Sequence, residues 1–250
     1  AQVRVVQDIP LFRCEVERGY GNDVERNLPN KKTSVFPVFQ ELSNRIGKEK
    51  VVWRYDPIFF SNRYNAKYHL KAFRSIAEAL SGYTEKCVIS FLDIYPKNKK
   101  NMDDLLSYDL SDSELREFAK ELSNIAKENH IKIGSCAEKI DLDEYGIIHN
   151  SCIDKELIEK IIGCKLKINK DKNQRIECGC VESVEVGTYN TCKNGCVYCY
   201  ANYSAKSVES NFQKYDPLSP LLCGHIEKDD KISTRKVVSL KETQISIFDI

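Results

Sequence analysis

The sequence predicts an α/β fold of βα units on a parallel sheet, and three observations carry that prediction. Short β-branched and aromatic runs alternate with longer stretches whose apolar residues recur at helical spacing. The longer stretches open on capping residues and stop at glycines. Polar residues gather where the strand-like runs end, the face on which such folds place their chemistry. Short strands at barrel-like spacing favour a (β/α) barrel over an open doubly wound sheet.

Each element has its own local reason. Leu11 to Glu17 reads as a strand, followed by a helix around Val35 to Ile46 that tolerates Pro37 in its first turn. The run KVVWRY, Lys50 to Tyr55, is a buried strand that stops at Asp56-Pro57. Asn65 caps a helix with Leu70, Phe73, Ile76, Ala77 and Leu80 on one face, ended by Ser81-Gly82. A second strand, CVISFLDI, covers Cys87 to Ile94. Ser111-Asp112-Ser113-Glu114 is a capping box ahead of Leu115, Phe118, Ala119, Leu122, Ile125 and Ala126 at helical spacing. A third strand, IKIGSC, runs from Ile131 to Cys136. Asp154 caps a short helix burying Leu157, Ile158, Ile161 and Ile162, with Gly163 as its stop.

The 250 residues carry 38 Lys+Arg against 37 Asp+Glu, so a net charge of +1 gives no global field for holding nucleic acid. No basic segment followed by an apolar one opens the chain, and no apolar window reaches bilayer length, so a cytoplasmic protein is expected. The chain starts at Ala1 with Met102 as its one methionine, from which a processed or N-terminally truncated chain is expected. The outlier is 11 cysteines, mostly in the last two fifths of the chain. In a reducing compartment such an odd-numbered set points to metal or redox chemistry rather than a disulfide framework.

The strand ends supply the candidate catalytic residues: Arg54 and Asp56, Ser90 and Asp93, and Ser135, Cys136 and Glu138. Arg54 and Asp56 share strand parity and can point into one cavity. The plainer reading of each is a loop cap or a salt bridge. Of these, Arg54, Asp56, Asp93 and Glu138 are the residues to which catalysis is assigned.

Residues 189–202 read YNTCKNGCVYCYAN, placing Cys192, Cys196 and Cys199 in a C-x3-C-x2-C loop. Three soft thiolates on one short loop can wrap three corners of a cubane iron–sulfur cluster. This loop resembles the defining motif of the radical S-adenosylmethionine superfamily, down to an aromatic residue, Tyr198, before the last cysteine. The resemblance implies a [4Fe-4S] cluster on Cys192, Cys196 and Cys199, with S-adenosylmethionine on the open iron. Val181 to Val186 as a strand and Ser204 to Tyr215 as a helix would flank the loop in that superfamily's order. The superfamily carries this unit at the start of its barrel, whereas here it comes last. An incomplete or permuted (β/α) TIM-like barrel with a C-terminal cysteine-rich unit reconciles the two. The chain has no Gly-Gly-Glu segment of the kind that holds the methionine amino group.

Together with the cysteine loop, WRYDPIFF, SCAEKIDLDEYGI and the CGC at Cys178 to Cys180 resemble the uncharacterised bacterial domain-of-unknown-function family 1848. The likeness runs from about Leu11 to the C-terminal region. It implies a fold and a cluster but no substrate. The organisation expected is βα units over 1–163, a cysteine-rich iron–sulfur unit over 164–225 and a tail over 226–250.

Cys178 and Cys180, one glycine apart, have a spacing that suits two ligands of one metal, and Cys136 and Cys152 lie in loops able to converge on them, giving a second cluster or a zinc site. Alternatively Cys136 and Cys164 are small buried hydrophobes. Cys14 and Cys87 read as core, and Cys223 beside His225 has no assigned role. Lys165, Lys167, Lys170, Lys172 and Arg175 form a basic stretch that can touch phosphate or simply be a solvated loop. Gln244 to Phe248 resembles the peptide by which bacterial DNA-processing proteins dock in the sliding clamp, against the plainer reading of a terminal strand. His69, His130, His149 and His225 form no metalloprotease pattern. Two functions follow: a radical S-adenosylmethionine-like iron–sulfur enzyme, or a non-catalytic zinc or iron–sulfur scaffold that docks a partner through its tail.

Overall fold

The computed structural model describes residues 20–96, 99–103, 105–106 and 110–242, together with the backbone of two short strands at 4–6 and 9–11. The tail motif Gln244 to Phe248, Cys14 and all but Leu11 of the expected strand Leu11 to Glu17 lie outside the described residues. Three short strands, β1 (Arg4–Val6), β2 (Ile9–Leu11) and β7 (Val184–Glu185), form an antiparallel sheet in the order β2-β1-β7. A parallel sheet of β3 (Trp53–Ile58), β4 (Lys86–Phe91), β5 (Lys132–Cys136) and β6 (Ile148–Asn150) runs in chain order.

Six α-helices accompany these strands among the described residues: α1 (Phe36–Ile46), α2 (Ala66–Leu80), α3 (Lys99–Met102), α4 (Asp112–Glu128), α5 (Lys155–Ile162) and α6 (Ala205–Gln213). Their starts follow the sequence closely. Asn65 accepts from the Tyr68 backbone N–H at 3.0 Å to open α2, and Asp154 accepts from Leu157 at 3.2 Å to open α5. At α4 both halves of the capping box form: Ser111 accepts from the Glu114 N–H, and the Glu114 carboxylate accepts from the Ser111 N–H. Gly163 closes α5 at φ 68°, a left-handed turn that glycine enters without a Cβ clash.

Alternation along the strands divides the parallel sheet into two unlike faces. Trp53, Tyr55, Cys87, Ile89 and Ile133 point to one side, where Phe39 of α1, Phe73, Ile76 and Leu80 of α2 and Leu122 and Ile125 of α4 bury them in the main core. Paired residues in the ladder share a face, so Arg54 with Val88 and Gly134 with Ile148 define the other side. That side carries Arg54, Asp56, Ser90, Cys136 and Asn150. Both connecting helices, α2 and α4, pack on the same face of strands in sequential order, as in the wall of a barrel. The sheet nevertheless remains open, with β3 and β6 as its outer strands.

Four elements depart from the sequence expectation, one of them β4, which ends at Phe91 rather than Ile94. Strand β3 does not stop at Asp56-Pro57 but runs through it to Ile58, the peptide bond being cis. β3 is an outer strand, and its register with β4 shifts between Tyr55 and Ile58, the setting in which a sheet tolerates a residue without an N–H. Strand β6 leaves no mark in the sequence, because three residues are too few to show a period. The VESVEV run shortens to β7, which pairs antiparallel with β1 rather than joining the parallel sheet. No helix among the described residues is long and apolar enough to cross a membrane.

Candidate functional site

Two groups of chemistry-bearing residues lie at the carboxyl end of the parallel sheet. The first begins with Arg54 and Asp56, two residues apart on β3 and each only 8% exposed. They form a direct ion pair, and Ser90 on β4 donates to the same Asp56 oxygen at 3.4 Å. The Arg54 Nη1 donates to the Cys152 sulfur at 2.9 Å, and that sulfur lies 2.9 Å from the Cys136 sulfur. Burial opposes the guanidinium charge, but Asp56 and the two sulfurs outweigh it and raise the Arg54 pKa.

The third sulfur here is that of Cys180, which accepts from the backbone N–H groups of Cys152 at 3.2 Å and Ile153 at 3.3 Å. Cys178 and Cys180 are both buried, packed with Ala137, Ile153, Ile158 and Leu166 in a second core. Asp171 N–H donates to the Cys180 carbonyl at 2.9 Å, and Val181 N–H to the Ile153 carbonyl at 3.2 Å, which hold the CGC segment against the loop after β6. The Cys180 thiol is raised by its hydrogen bond to Cys152 and then by burial. Cys136, although half-buried, is likewise raised first by its hydrogen bond to Cys152.

Glu138 follows Cys136 by two residues and accepts from the Phe91 N–H at 2.8 Å. Burial pushes its pKa up to about 7, with nearby Asp93 adding to the rise and the Phe91 N–H opposing it. Asp93 itself is half-exposed and paired at 2.6 Å with Arg175, a member of the predicted basic stretch. Two other members are also engaged: Lys165 with Glu159 at 3.1 Å, and Lys170 with the Ile176 carbonyl at 2.5 Å. Ser135 has the opposite strand parity from Arg54 and stays buried on the helix side.

The second group is the C-x3-C-x2-C loop. Its three cysteines are thiols, each partly exposed. Gly195 turns the loop at φ 64°, and a Cβ there would come within 3.2 Å of the Asn27 amide. Asn27 donates from its backbone to Asn194 at 2.9 Å and from its side chain to Lys193 at 2.8 Å, while Val197 N–H donates to Val24 at 3.0 Å. Asn202 donates to the Cys192 carbonyl at 2.9 Å, and Asn190 accepts from the Tyr203 and Ser204 N–H groups that lead into α6.

Tyr198 turns away from solvent rather than outward with the cysteines. Its hydroxyl donates to Glu25 at 3.0 Å, and Glu25, 1% exposed, is paired with Lys31 at 2.6 Å. Its ring lies 6.2 Å from that of Tyr20, which stacks on Phe59 at 4.5 Å. The Tyr20 hydroxyl donates to the Pro57 carbonyl at 3.1 Å and accepts from Phe59 N–H at 3.0 Å. Tyr198 and Tyr20 thereby dock the cysteine loop beside the carboxyl end of β3, and Tyr200 meets Tyr95 beyond β4 at 5.4 Å. Glu25, Asn190 and Asn202 carry no sequence pattern that marks them; only their distance partners reveal their use.

Among the described residues, no group of three or more His, Cys, Asp or Glu is gathered so as to hold a metal ion. A cavity of about 390 Å³ lined by Glu49, Lys50, Glu85, Lys160 and Ile161 lies at the opposite, amino end of β3 and β4 and contains none of the candidate residues.

No curated protein and no solved structure matches the chain. One family model does, over residues 8–201, a span that takes in the parallel sheet, both sulfur groups and the whole cysteine loop. The chain therefore belongs to the family described as Domain of unknown function (DUF1848).

Proposed function

We propose that this chain is an iron–sulfur protein, a radical S-adenosylmethionine-like enzyme whose Cys192, Cys196 and Cys199 hold a [4Fe-4S] cluster. The observation that carries the reading is the docking of three thiols on one asparagine-braced loop beside the carboxyl end of the parallel sheet. When bound, the cluster would supply one-electron reduction to S-adenosylmethionine, and that radical chemistry belongs to the cofactor.

The chain's own residues have separate tasks. Tyr198 and Glu25 fix the loop, and the aromatic layer of Tyr20, Phe59 and Tyr64 closes its inner side to water. Arg54, held by Asp56, offers a fixed positive charge on the polar face of the sheet. Glu138, with its pKa raised to about 7, can keep or release a proton at a carboxylate oxygen near neutrality. The barrel-like wall of strands with helices on one face supports the enzyme reading as an incomplete barrel.

Anaerobic reconstitution of the full chain with iron and sulfide tests the proposal. About four iron and four sulfide per chain are expected, lost when all three cysteines become Ala. Deoxyadenosine should form when the reduced protein meets S-adenosylmethionine. Stoichiometric zinc without sulfide in anaerobically purified protein, or an unchanged cluster in the triple variant, would overturn it.

A further inference from the structure

We propose that Cys152 and Cys136 are a peroxide-reactive dithiol, with Cys152 as the attacking sulfur and Cys136 as the sulfur that closes onto it. This site stands apart from the cysteine loop and does not depend on the cluster. Four observations converge on it. Cys136 ends β5 and pairs in register with Asn150 of β6, and Cys152 follows two residues later, so neighbouring strands bring the pair together. Their sulfurs are 2.9 Å apart, and closing to a disulfide of about 2.05 Å needs a movement of only roughly 0.9 Å. The Arg54 guanidinium donates to the Cys152 sulfur, and Asp56 on β3 fixes its direction. Both sulfurs belong to partly exposed residues, which admits a small oxidant.

Cys180 is the informative contrast. It packs against the same pair, but it is 2% exposed and its sulfur already accepts two backbone N–H bonds. It shapes the pocket around Cys152 rather than meeting the oxidant.

The chemistry balances with hydrogen peroxide as the oxidant. The Cys152 thiol gives its proton to solvent and its sulfur, the negative charge faced by Arg54, attacks one peroxide oxygen; the O–O bond breaks and hydroxide leaves, taking up that proton to become water, and Cys152 becomes a sulfenic acid. The Cys136 sulfur then attacks the Cys152 sulfur; the S–S bond forms, the S–O bond breaks and a second water leaves with the thiol proton. Two thiols and one peroxide become one disulfide and two waters, with two electrons passing from sulfur to oxygen.

The experiment uses the full chain, reduced, freed of reductant without oxygen and treated with one to ten equivalents of hydrogen peroxide. Alkylation and peptide mass spectrometry should find the Cys136–Cys152 link ahead of any other pair. In C136A the reaction should stop at Cys152 sulfenic acid, read as a dimedone adduct at least tenfold above wild type. The C180A variant should still form the link, and so should C192A/C196A/C199A, which separates this proposal from the cluster. Circular dichroism confirms that each variant is folded. The proposal is overturned if Cys152 is unmodified at ten equivalents, or if dimedone labels C136A and wild type alike. It is equally overturned if the thiols react only after a chelator removes a bound metal that C136A and C152A no longer retain.

Discussion

Replacing Glu138 with Gln isolates the cost of a carboxyl group held at the polar end of the sheet. The residue is half-buried and its pKa is pushed up to about 7 by burial, from an ordinary 4.5. A pKa raised on folding adds stability that is fully present below the unfolded value and is lost as pH rises through the folded one. Wild type should therefore lose stability between about pH 4.5 and pH 7 through this group. The full shift corresponds to ~3 kcal/mol, which partial solvent exposure reduces to about 1.5 kcal/mol. Glutamine keeps the Phe91 hydrogen bond through its amide oxygen and has no proton to lose. Urea unfolding of both proteins in reductant should give equal stabilities near pH 4.5 and an E138Q advantage of about 1–2 kcal/mol by pH 8. His69 titrates in both proteins, so it cancels in the difference. A gap between the two that stays constant across this range would refute the assignment.

Three further outcomes are expected. D56N leaves the buried Arg54 charge without its partner and should cost ~3–5 kcal/mol, whereas the R54M/D56L pair should cost less than D56N alone; denaturant midpoints of the three variants decide it. S111A removes the cap of α4 and should lower stability by about 1 kcal/mol, with the loss in helical circular dichroism on heating as the readout. His69 is buried between the Tyr55 hydroxyl at 2.9 Å and the Phe59 carbonyl at 2.9 Å, and burial lowers its pKa to about 4. Its stabilising contribution is present above pH 6.5 and falls away as pH drops toward 4, so its ring proton resonances should stay unshifted between pH 8 and 5.5 while those of an exposed histidine move.

The helices were legible because local chemistry decides them. Asn65, Ser111, Asp154 and Gly163 cap backbone groups within a few residues of themselves, and the apolar faces of α2 and α4 repeat over fifteen and seventeen residues. Strands β4 and β5 showed through their β-branched content. The passage of β3 through Pro57 was hidden because it depends on the strand's place at the edge of a sheet. Likewise β6 exists by virtue of β5, since its three residues have no period of their own. In the site, parity placed Arg54 and Asp56 on one face, where they form an ion pair as the plainer reading had it, while Asp93 went to Arg175, a partner 82 residues away that no spacing rule finds. Glu25 and Tyr198, 173 residues apart, were invisible for the same reason.

That long reach has a consequence for how the chain is made. Strand β1 finds its β7 partner only at residues 184–185, and Val24, Glu25 and Asn27 bind residues 193–198. On a ribosome adding about 5–20 residues each second, the first segment waits some ten seconds or longer for the strand and loop it will join. Meanwhile β3, α2, β4, α4 and β5, whose contacts are between near neighbours in the chain, can assemble as they emerge. The cysteine loop would then be set in place late, by the same event that ties down the strand at 4–6 and residues 24–27.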